Sequence, residues 1–227
     1  MLRRSTGDGP QIVGVIRSRA DLESVLQMRE PPDLYELRLD RVAGIADQVE
    51  SLLPKLRTPL VITARHPLEG GATQLRLQER RDLLARFIDY AEYIDVELRS
   101  VRALRPLLRL AENKNVRRII SFHDLNSTPS SRILATKARK AKSYGADVFK
   151  VATRTDTPVE LERLREFITS NPLDLALAVM GIGKFGAISR VLLARAGSVL
   201  VYASLRSLSD IEGQLSLEQL RALGFGP

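Results

Sequence analysis

The chain alternates between short apolar runs rich in β-forming residues and longer stretches with helical periodicity. Between the runs, apolar residues recur every three or four positions, as in Leu83, Leu84, Phe87 and Ile88, which is typical of amphipathic helices. Strands that alternate with helices and are apolar on both faces indicate parallel pairing. Eight such strands are predicted: QIVGVI (11–16), LYELRLD (34–40), PLVITAR (59–65), YIDVEL (93–98), RRIISFHD (117–124), DVFKVAT (147–153), LALAVMG (175–181) and SVLVYAS (198–204).

Eight strand–helix units favour an α/β fold, a (βα)8 TIM barrel in a single domain, with an open doubly wound sheet as the second architecture. No Gly-rich dinucleotide fingerprint follows the first strand, where the sequence reads VIRSRADLESV, and this weakens the open-sheet alternative. A length of 227 residues suits one barrel domain. We expect a flexible N-terminal tail over residues 1–10 and a catalytic barrel over residues 11–227.

Composition restricts the possible chemistry and the compartment. The chain has no cysteine, which excludes disulfides, thiol nucleophiles and zinc–thiolate sites and fits a reducing compartment. The N-terminus lacks the apolar core of a signal peptide, and the longest apolar run, residues 175–183, is too short to cross a bilayer. We therefore expect a soluble cytoplasmic protein that does not contact membranes.

The net charge of +8 raises the possibility of nucleic-acid binding. However, basic residues are interleaved with acidic ones in segments such as RLQERRDLLARFIDYAE, the pattern of a solvated helix face. Aromatic residues make up only 5% of the chain, which leaves few surfaces for base stacking. We expect no nucleic-acid partner, and an anionic small-molecule substrate explains part of the excess charge.

Polar and reactive residues lie at the carboxyl ends of the predicted strands, where the loops of a barrel converge on one mouth. Alternation places Val148, Lys150 and Ala152 on one face of their strand, and burial of Lys150 favours the neutral amine that attacks a carbonyl. The alternative is a lysine that reaches water or pairs with a carboxylate. The full set is Glu36, Arg38, Arg65, Glu97, His123, Lys150 and Met180.

Three further features each have two interpretations. His123 is suited to general acid–base catalysis or is a structural histidine. The loop RHPLEGG (65–71) either covers a substrate or forms an ordinary turn. The segment MGIGKFGAISR (180–190) either captures an anion or leads into the next helix. Two histidines without cysteine do not form a convincing set of metal ligands, so we expect no metal and no cofactor. Ser216 precedes the last predicted helix and is a predicted N-cap.

Taken in order, these pieces resemble type I 3-dehydroquinate dehydratase, the lysine-dependent lyase of the shikimate pathway, which converts 3-dehydroquinate to 3-dehydroshikimate. The resemblance covers nearly the whole chain. It rests on ELRLD (36–40), R-x-x-x-E-G-G (65–71), IDVEL (94–98), S-x-H-D (121–124), GADVFKVA (145–152), G-x-I-S-R (186–190) and GQ (213–214).

The resemblance implies a role for each matching residue. Lys150 would form an imine with the substrate ketone, His123 would act as general base and then general acid, and Glu69 would orient and tune His123. The implied substrate contacts are Arg190 to the carboxylate, Arg38 and Arg65 as a positive field, Glu36 and Gln214 to the ring hydroxyls, Ser209 as a helper, and Met180 and Tyr202 as an apolar wall. A homodimer is also implied.

Four positions depart from the family pattern. Ile211 and Glu212 replace the Ala-Pro of an A-P-G-Q stretch, which affects the local geometry of that loop, Ile182 replaces a second methionine, and Tyr202 stands where phenylalanine is usual. The changes at Ile182 and Tyr202 keep an apolar wall, so we expect altered affinity rather than an altered reaction. Two alternatives remain open: another class I Schiff-base lyase or aldolase that uses a phosphorylated substrate, and a catalytically silent anion-binding barrel.

Overall fold

The computed structural model describes residues 9–206 and 211–226, and within them eight parallel strands form one sheet. The predicted strands are confirmed to within a few residues at each end. Their order is β7-β6-β5-β4-β3-β2-β1-β8. The strands are β1 (Gln11–Ile16), β2 (Leu34–Arg38), β3 (Leu60–Thr63), β4 (Ala91–Glu97), β5 (Arg117–Asp124), β6 (Val148–Arg154), β7 (Ala176–Ile182) and β8 (Leu200–Ser204).

The two outer strands of this order, β7 and β8, come together and nearly close the sheet into a barrel. The backbone N–H of Val199, just before β8, donates to the carbonyl of Leu177 on β7 at 2.8 Å. The predicted single-domain (βα)8 barrel is therefore confirmed. The predicted tail, residues 1–10, lies outside the described residues except for Gly9 and Pro10.

Helices lie between the strands. Side chains accept hydrogen bonds from first-turn N–H groups at Ser18, Ser130, Thr157 and Ser216, which stabilises the helix starts; the predicted N-cap at Ser216 is confirmed. The helices are α1 (Arg19–Leu26), α2 (Leu39–Val42), α3 (Ala46–Leu52), α4 (Leu77–Phe87), α5 (Arg105–Asn113), α6 (Ser131–Ser143), α7 (Pro158–Thr169), α8 (Gly186–Arg195) and α9 (Leu217–Ala222). Short 3-10 turns occupy Ala43–Ile45, Leu53–Lys55, Pro67–Glu69 and Ile88–Tyr90.

Alternation along the strands divides the core into an outer and an inner part. On β6, Phe149 and Val151 belong to the large cluster between sheet and helices. Val148 and Ala152 belong to a smaller cluster that fills the barrel interior. Lys150 lies between these two and is buried, so its side chain enters the interior, as the alternation predicts. No helix in the described parts of the chain has the length and apolarity needed to span a membrane.

Candidate active site

A layer of polar and charged side chains fills the barrel interior above the inner apolar cluster. Strand register places Ser121 of β5 beside Lys150 of β6, and Asp95 of β4 beside Ile119, two residues before Ser121. All members are buried, which is unusual for charged groups unless they are paired. The layer consists of Glu36, Thr63, Arg65, Asp95, Ser121 and Lys150.

Lys150 is held by two carboxylates. Its Nζ donates to Asp95 Oδ2 at 2.9 Å and to Glu36 Oε1 at 3.4 Å, and it lies 4.0 Å from the centroid of the Tyr202 ring. Sequence alone offered two alternatives for Lys150, burial inside the barrel or pairing with a carboxylate, and the structure combines the two.

Arg65 holds the carboxylate layer together from its centre. Its guanidinium makes a bidentate contact with Asp95, at 3.0 and 2.8 Å, and also donates to Ser121 Oγ at 2.7 Å. Burial alone would raise the pKa of Asp95, but the charges of Arg65 and Lys150 outweigh it and hold that pKa far below its usual range. Asp95 is therefore ionised at all working pH values.

The network extends out of the barrel through Glu97 to helix α4. Glu97 Oε1 accepts from Arg65 Nη1 at 3.2 Å and from the backbone N–H of His66 at 2.8 Å, and Glu97 also pairs with Arg80. Arg80 donates to the carbonyl of Ala64 at 2.8 Å and is 1% exposed. The interleaved charges of RLQERRDLLARFIDYAE predict a solvated helix face, and Arg80 is an exception to that pattern because it is buried in an ion pair with Glu97.

His123 and Glu69 form a second pair, which lies two residues closer to the carboxyl ends of the strands than Lys150. His123 lies two residues beyond Ser121 on β5 and beside Ala152 of β6. Glu69 Oε2 lies 3.0 Å from the ring Nδ1 and accepts the backbone N–H of His123 at 3.0 Å. The carboxylate thus fixes the orientation of the ring and leaves Nε2 as the ring nitrogen it does not contact.

The charges around this pair shift both titrations. Burial lowers the pKa of His123 well below its usual value, and the positive charges of Arg65 and Lys150 add to that effect. Burial raises the pKa of Glu69 to about 7, with repulsion from Glu97 adding to the shift. His123 is therefore a neutral imidazole near pH 7, the protonation state that a general base requires.

The loop that carries Glu69 is a tight turn. His66 Nδ1 accepts the N–H of Leu68 at 3.0 Å, and Gly70 adopts a left-handed φ of 87°. A Cβ on Gly71 would lie 2.5 Å from the carbonyl oxygen of Arg65, so only glycine allows this close approach. The Gly pair of RHPLEGG thereby directs the buried Glu69 carboxylate inward.

Arg190 forms the third part of the site. It is buried, and its Nη1 donates to the carbonyls of Gly181, Gly186 and Gly213 at 2.9, 2.9 and 2.8 Å. Burial lowers the pKa of Arg190 to about 10, and no carboxylate of residues 9–206 and 211–226 counters that shift. Its Nε is buried without a partner among residues 9–206 and 211–226. A buried cation without a counter-ion is a strong candidate for anion binding.

The loop beside Arg190 contains the departure at positions 211–212. Glu212 pairs with Arg154 at 2.9 Å, and its carbonyl accepts from Gly183 N–H at 3.0 Å. Gly213 has a φ of 75°, and a Cβ there would lie 2.5 Å from the carbonyl oxygen of Gly183. The loop therefore retains the close packing that brings the Gly213 carbonyl to Arg190, with an ion pair where the family pattern has proline.

The remaining predicted site residues that the structure describes lie at the same end of the barrel or line its interior. Arg38 forms a bidentate pair with Asp40, at 2.8 Å for each contact, and Gln214 accepts a hydrogen bond from Arg17. Met180 and Tyr202 line the inner apolar cluster. Ser209 lies outside the described residues.

Two members of the network that were not predicted as site residues nevertheless carry a signal in the sequence. Asp95 precedes Glu97 by two residues on β4, so strand alternation alone puts both on the inward face. Ser121 has the same relation to His123 on β5. Arg80 has no such signal, because it lies in a helix surrounded by exposed charges. In residues 9–206 and 211–226, no group of three or more His, Asp or Glu side chains is arranged to hold a metal ion.

Comparison with known proteins agrees with this geometry. The 3-dehydroquinate dehydratase of Thermodesulfovibrio yellowstonii is 31% identical over 215 residues, covering 93% of this chain and 92% of that protein. That of Thermococcus gammatolerans is 33% identical over 214 residues, covering 93% and 96%.

Solved structures lead to the same result. The crystal structure of type I 3-dehydroquinate dehydratase from Clostridium difficile, with covalently modified comenic acid, superposes with a TM-score of 0.86 at 25% identity, covering 95% of this chain and 91% of that one. The enzyme from Geobacillus kaustophilus gives a TM-score of 0.83 at 26% identity, covering 94% and 89%. The family model described as Type I 3-dehydroquinase matches residues 12–224, and the chain therefore belongs to the type I 3-dehydroquinase family.

Proposed function

We propose that this protein dehydrates 3-dehydroquinate to 3-dehydroshikimate through an imine on Lys150, with His123 as general base and general acid. One observation carries the proposal. The Lys150 amine lies inside a barrel, and a neutral imidazole paired with Glu69 lies on the neighbouring strand. A lysine in this position supplies the nucleophile, and an imidazole supplies the proton transfers that follow.

The chemistry begins with Lys150. The ammonium gives up a proton before its nitrogen attacks the substrate carbonyl, and loss of the carbonyl oxygen as water leaves a protonated imine. This cationic group withdraws electrons from the adjacent carbon and acidifies its C–H bond. His123 takes that proton and then returns it to the β-hydroxyl group, which leaves as water. Hydrolysis of the imine releases the product and restores Lys150.

Glu69 acts through His123. The carboxylate accepts the backbone N–H of His123 and faces Nδ1, both at 3.0 Å, so the ring is fixed with Nε2 available to the substrate. A fixed base avoids the loss of rotational freedom in each proton transfer. Glu69 is thus a positioning residue for the imidazole.

The other residues bind and orient the substrate in this proposal. Arg190 binds the carboxylate, because it is a buried cation without a carboxylate partner in the described chain. Glu36 and Gln214 hydrogen-bond the ring hydroxyls, and Ser209 assists them. Arg38 and Arg65 contribute a positive field rather than direct contacts, since their guanidinium groups are engaged with Asp40 and Asp95. Met180 and Tyr202 line the apolar wall.

Borohydride reduction tests the nucleophile and the substrate together. Incubation with 3-dehydroquinate and borohydride should leave a stable adduct on the peptide that contains Lys150, detected by mass spectrometry. The Lys150→Ala variant should stay folded, form no adduct and lose turnover. The exposed Lys142→Ala variant is the matched control and should behave as wild type. An active wild-type protein that forms no adduct, or an active Lys150→Ala variant, would refute the mechanism.

We also propose a cytoplasmic homodimer that binds neither nucleic acid nor membranes, with residues 1–10 as a tail outside the catalytic domain. The interleaved charges are typical of solvated helices rather than of a nucleic-acid-binding surface. The absence of cysteine fits a reducing compartment such as the cytoplasm. The homodimer is what the resemblance to the family implies. Light scattering after gel filtration measures the oligomeric state. Tight, steeply salt-dependent DNA binding without dehydratase turnover would instead favour a binding protein.

A further inference from the structure

The hydroxyl group of Tyr202 is a polar atom in the barrel interior that the proposed reaction has not yet used. Tyr202 is 4% exposed, and its hydroxyl has no hydrogen-bond partner within the described parts of the chain. Buried hydroxyl groups are nearly always paired, because an unpaired one loses its contacts with water and gains none in return. Such an exception in a candidate active site indicates a ligand atom.

The position of the ring relates the hydroxyl to the reacting nitrogen. Lys150 Nζ lies over the Tyr202 ring, 4.0 Å from its centroid, in a cation–π contact. This geometry puts Nζ about 5 Å from the phenol oxygen, which is too far for a direct hydrogen bond. One oxygen atom that lies within about 3 Å of each group spans this distance.

The hydroxyl is a neutral donor in this position. Burial raises the pKa of Tyr202 well above its usual value, and the negative charges of Glu36 and Asp95 add to that effect. The group therefore stays protonated across the pH range of enzymes. The hydroxyl is buried and has no acceptor among residues 9–206 and 211–226, which leaves its proton available to a bound ligand.

We propose that the Tyr202 hydroxyl binds the oxygen atom of the substrate carbonyl while Lys150 adds to that carbon, and holds the same oxygen until it leaves as water. This inference rests on the imine reaction proposed above. It makes Tyr202 a catalytic residue for imine formation, in addition to its place in the apolar wall.

The step balances without an outside reagent. The ammonium of Lys150 first transfers a proton to a neighbouring base, and the nitrogen lone pair then forms the N–C bond while the C=O π pair moves to oxygen. The oxygen takes up that proton from the base and a second proton that the nitrogen releases, and it leaves as water. The sum is ammonium plus ketone giving protonated imine plus water. Tyr202 donates a hydrogen bond throughout and transfers no net proton.

A pair of tyrosine variants tests the inference. Tyr202→Phe removes one oxygen atom and keeps the ring under Lys150. Tyr93→Phe is the matched control: Tyr93 belongs to the same inner cluster and is equally buried, but its hydroxyl accepts a hydrogen bond from Arg117 at 2.5 Å. The two variants therefore remove the same atom type from the same cluster, unpaired in one case and paired in the other.

Two readouts separate catalysis from packing. The first is the rate of imine formation in a single turnover, measured by rapid mixing with 3-dehydroquinate and quenching with borohydride. The second is the melting temperature of the unliganded protein. Tyr202→Phe should slow imine formation about three- to tenfold, the effect of one hydrogen bond, and should keep or raise the melting temperature. Tyr93→Phe should lower the melting temperature and leave the rate unchanged.

Three other outcomes would overturn either the role of the Tyr202 hydroxyl or the imine reaction itself. Equal rates of imine formation in Tyr202→Phe and wild type overturn the role of the hydroxyl alone. A lower melting temperature of Tyr202→Phe overturns it as well, because the hydroxyl would then have a structural partner. Absence of any Lys150 adduct in the wild-type protein overturns the imine reaction, and the inference about Tyr202 fails with it.

Discussion

Replacement of Glu69 by glutamine should make the protein more stable at alkaline pH than the wild type. Burial and the charge of Glu97 raise the pKa of Glu69 from 4.5 to about 7. A raised carboxyl pKa stabilises the fold fully below pH 4.5, and this contribution is lost as the pH rises through 7. The amide introduced by Glu69→Gln does not ionise and keeps nearly the same shape, so the variant does not lose that contribution.

The magnitude follows from the two pKa values. The difference between 4.5 and about 7, at 1.36 kcal/mol per pKa unit, amounts to about 3 kcal/mol. The free energies of unfolding of Glu69→Gln and wild type should therefore be nearly equal at pH 4. They should separate as the pH rises from about 4.5 to 7, with the variant higher by up to about 3 kcal/mol, equivalent to about 6 to 12 °C in melting temperature for a chain of this length.

Thermal unfolding followed by circular dichroism from pH 4 to 9 measures this separation. Glu218→Gln is the control, since Glu218 is exposed on α9, and its melting curve should follow that of wild type across the range. A difference between Glu69→Gln and wild type that stays constant from pH 4 to 9 would refute the reasoning.

Two further substitutions test the charge network. Asp95→Asn removes the carboxylate shared by Lys150 and Arg65. We expect the free energy of unfolding, measured by urea denaturation at pH 7, to fall by about 3 to 5 kcal/mol. A fall below about 1 kcal/mol would mean that the buried charges find other partners. Arg190→Lys keeps the positive charge but loses the planar fork, and KM for 3-dehydroquinate should rise about tenfold, with a smaller change in kcat. An unchanged KM would contradict the carboxylate contact.

The barrel was predictable because strands buried on both faces are apolar over most of their length. The run 59–65 is an instructive case. Its last two residues leave the ladder after Thr63, and Arg65 turns inward to Asp95. The hydrophobic pattern locates a strand, but the end of the strand depends on side-chain contacts that are distant in the sequence.

Site residues on strands were predictable, because strand alternation determines which side chains point into the barrel. Lys150 and His123 are identifiable because each interrupts or ends an apolar run. Asp95 follows the same rule, since it lies two residues before Glu97. Arg80 and the carbonyl of Gly213 were not predictable, because their partners Glu97 and Arg190 lie on other elements and no local pattern identifies them.

The charge balance of the interior suits the two roles that we propose for Lys150, nucleophile and electron sink. In the part of the chain that the structure describes, the positive charges of Lys150, Arg38, Arg65 and Arg80 face the carboxylates of Glu36, Asp40, Asp95 and Glu97. When Lys150 loses its proton to attack a ketone, this layer is left with one excess negative charge. Formation of the protonated imine returns a positive charge to the same place, beside Asp95 and Glu36. In the proposed reaction, the carboxylates of Asp95 and Glu36 therefore stabilise the cationic imine relative to the neutral amine. The cationic imine is the state that acidifies the substrate.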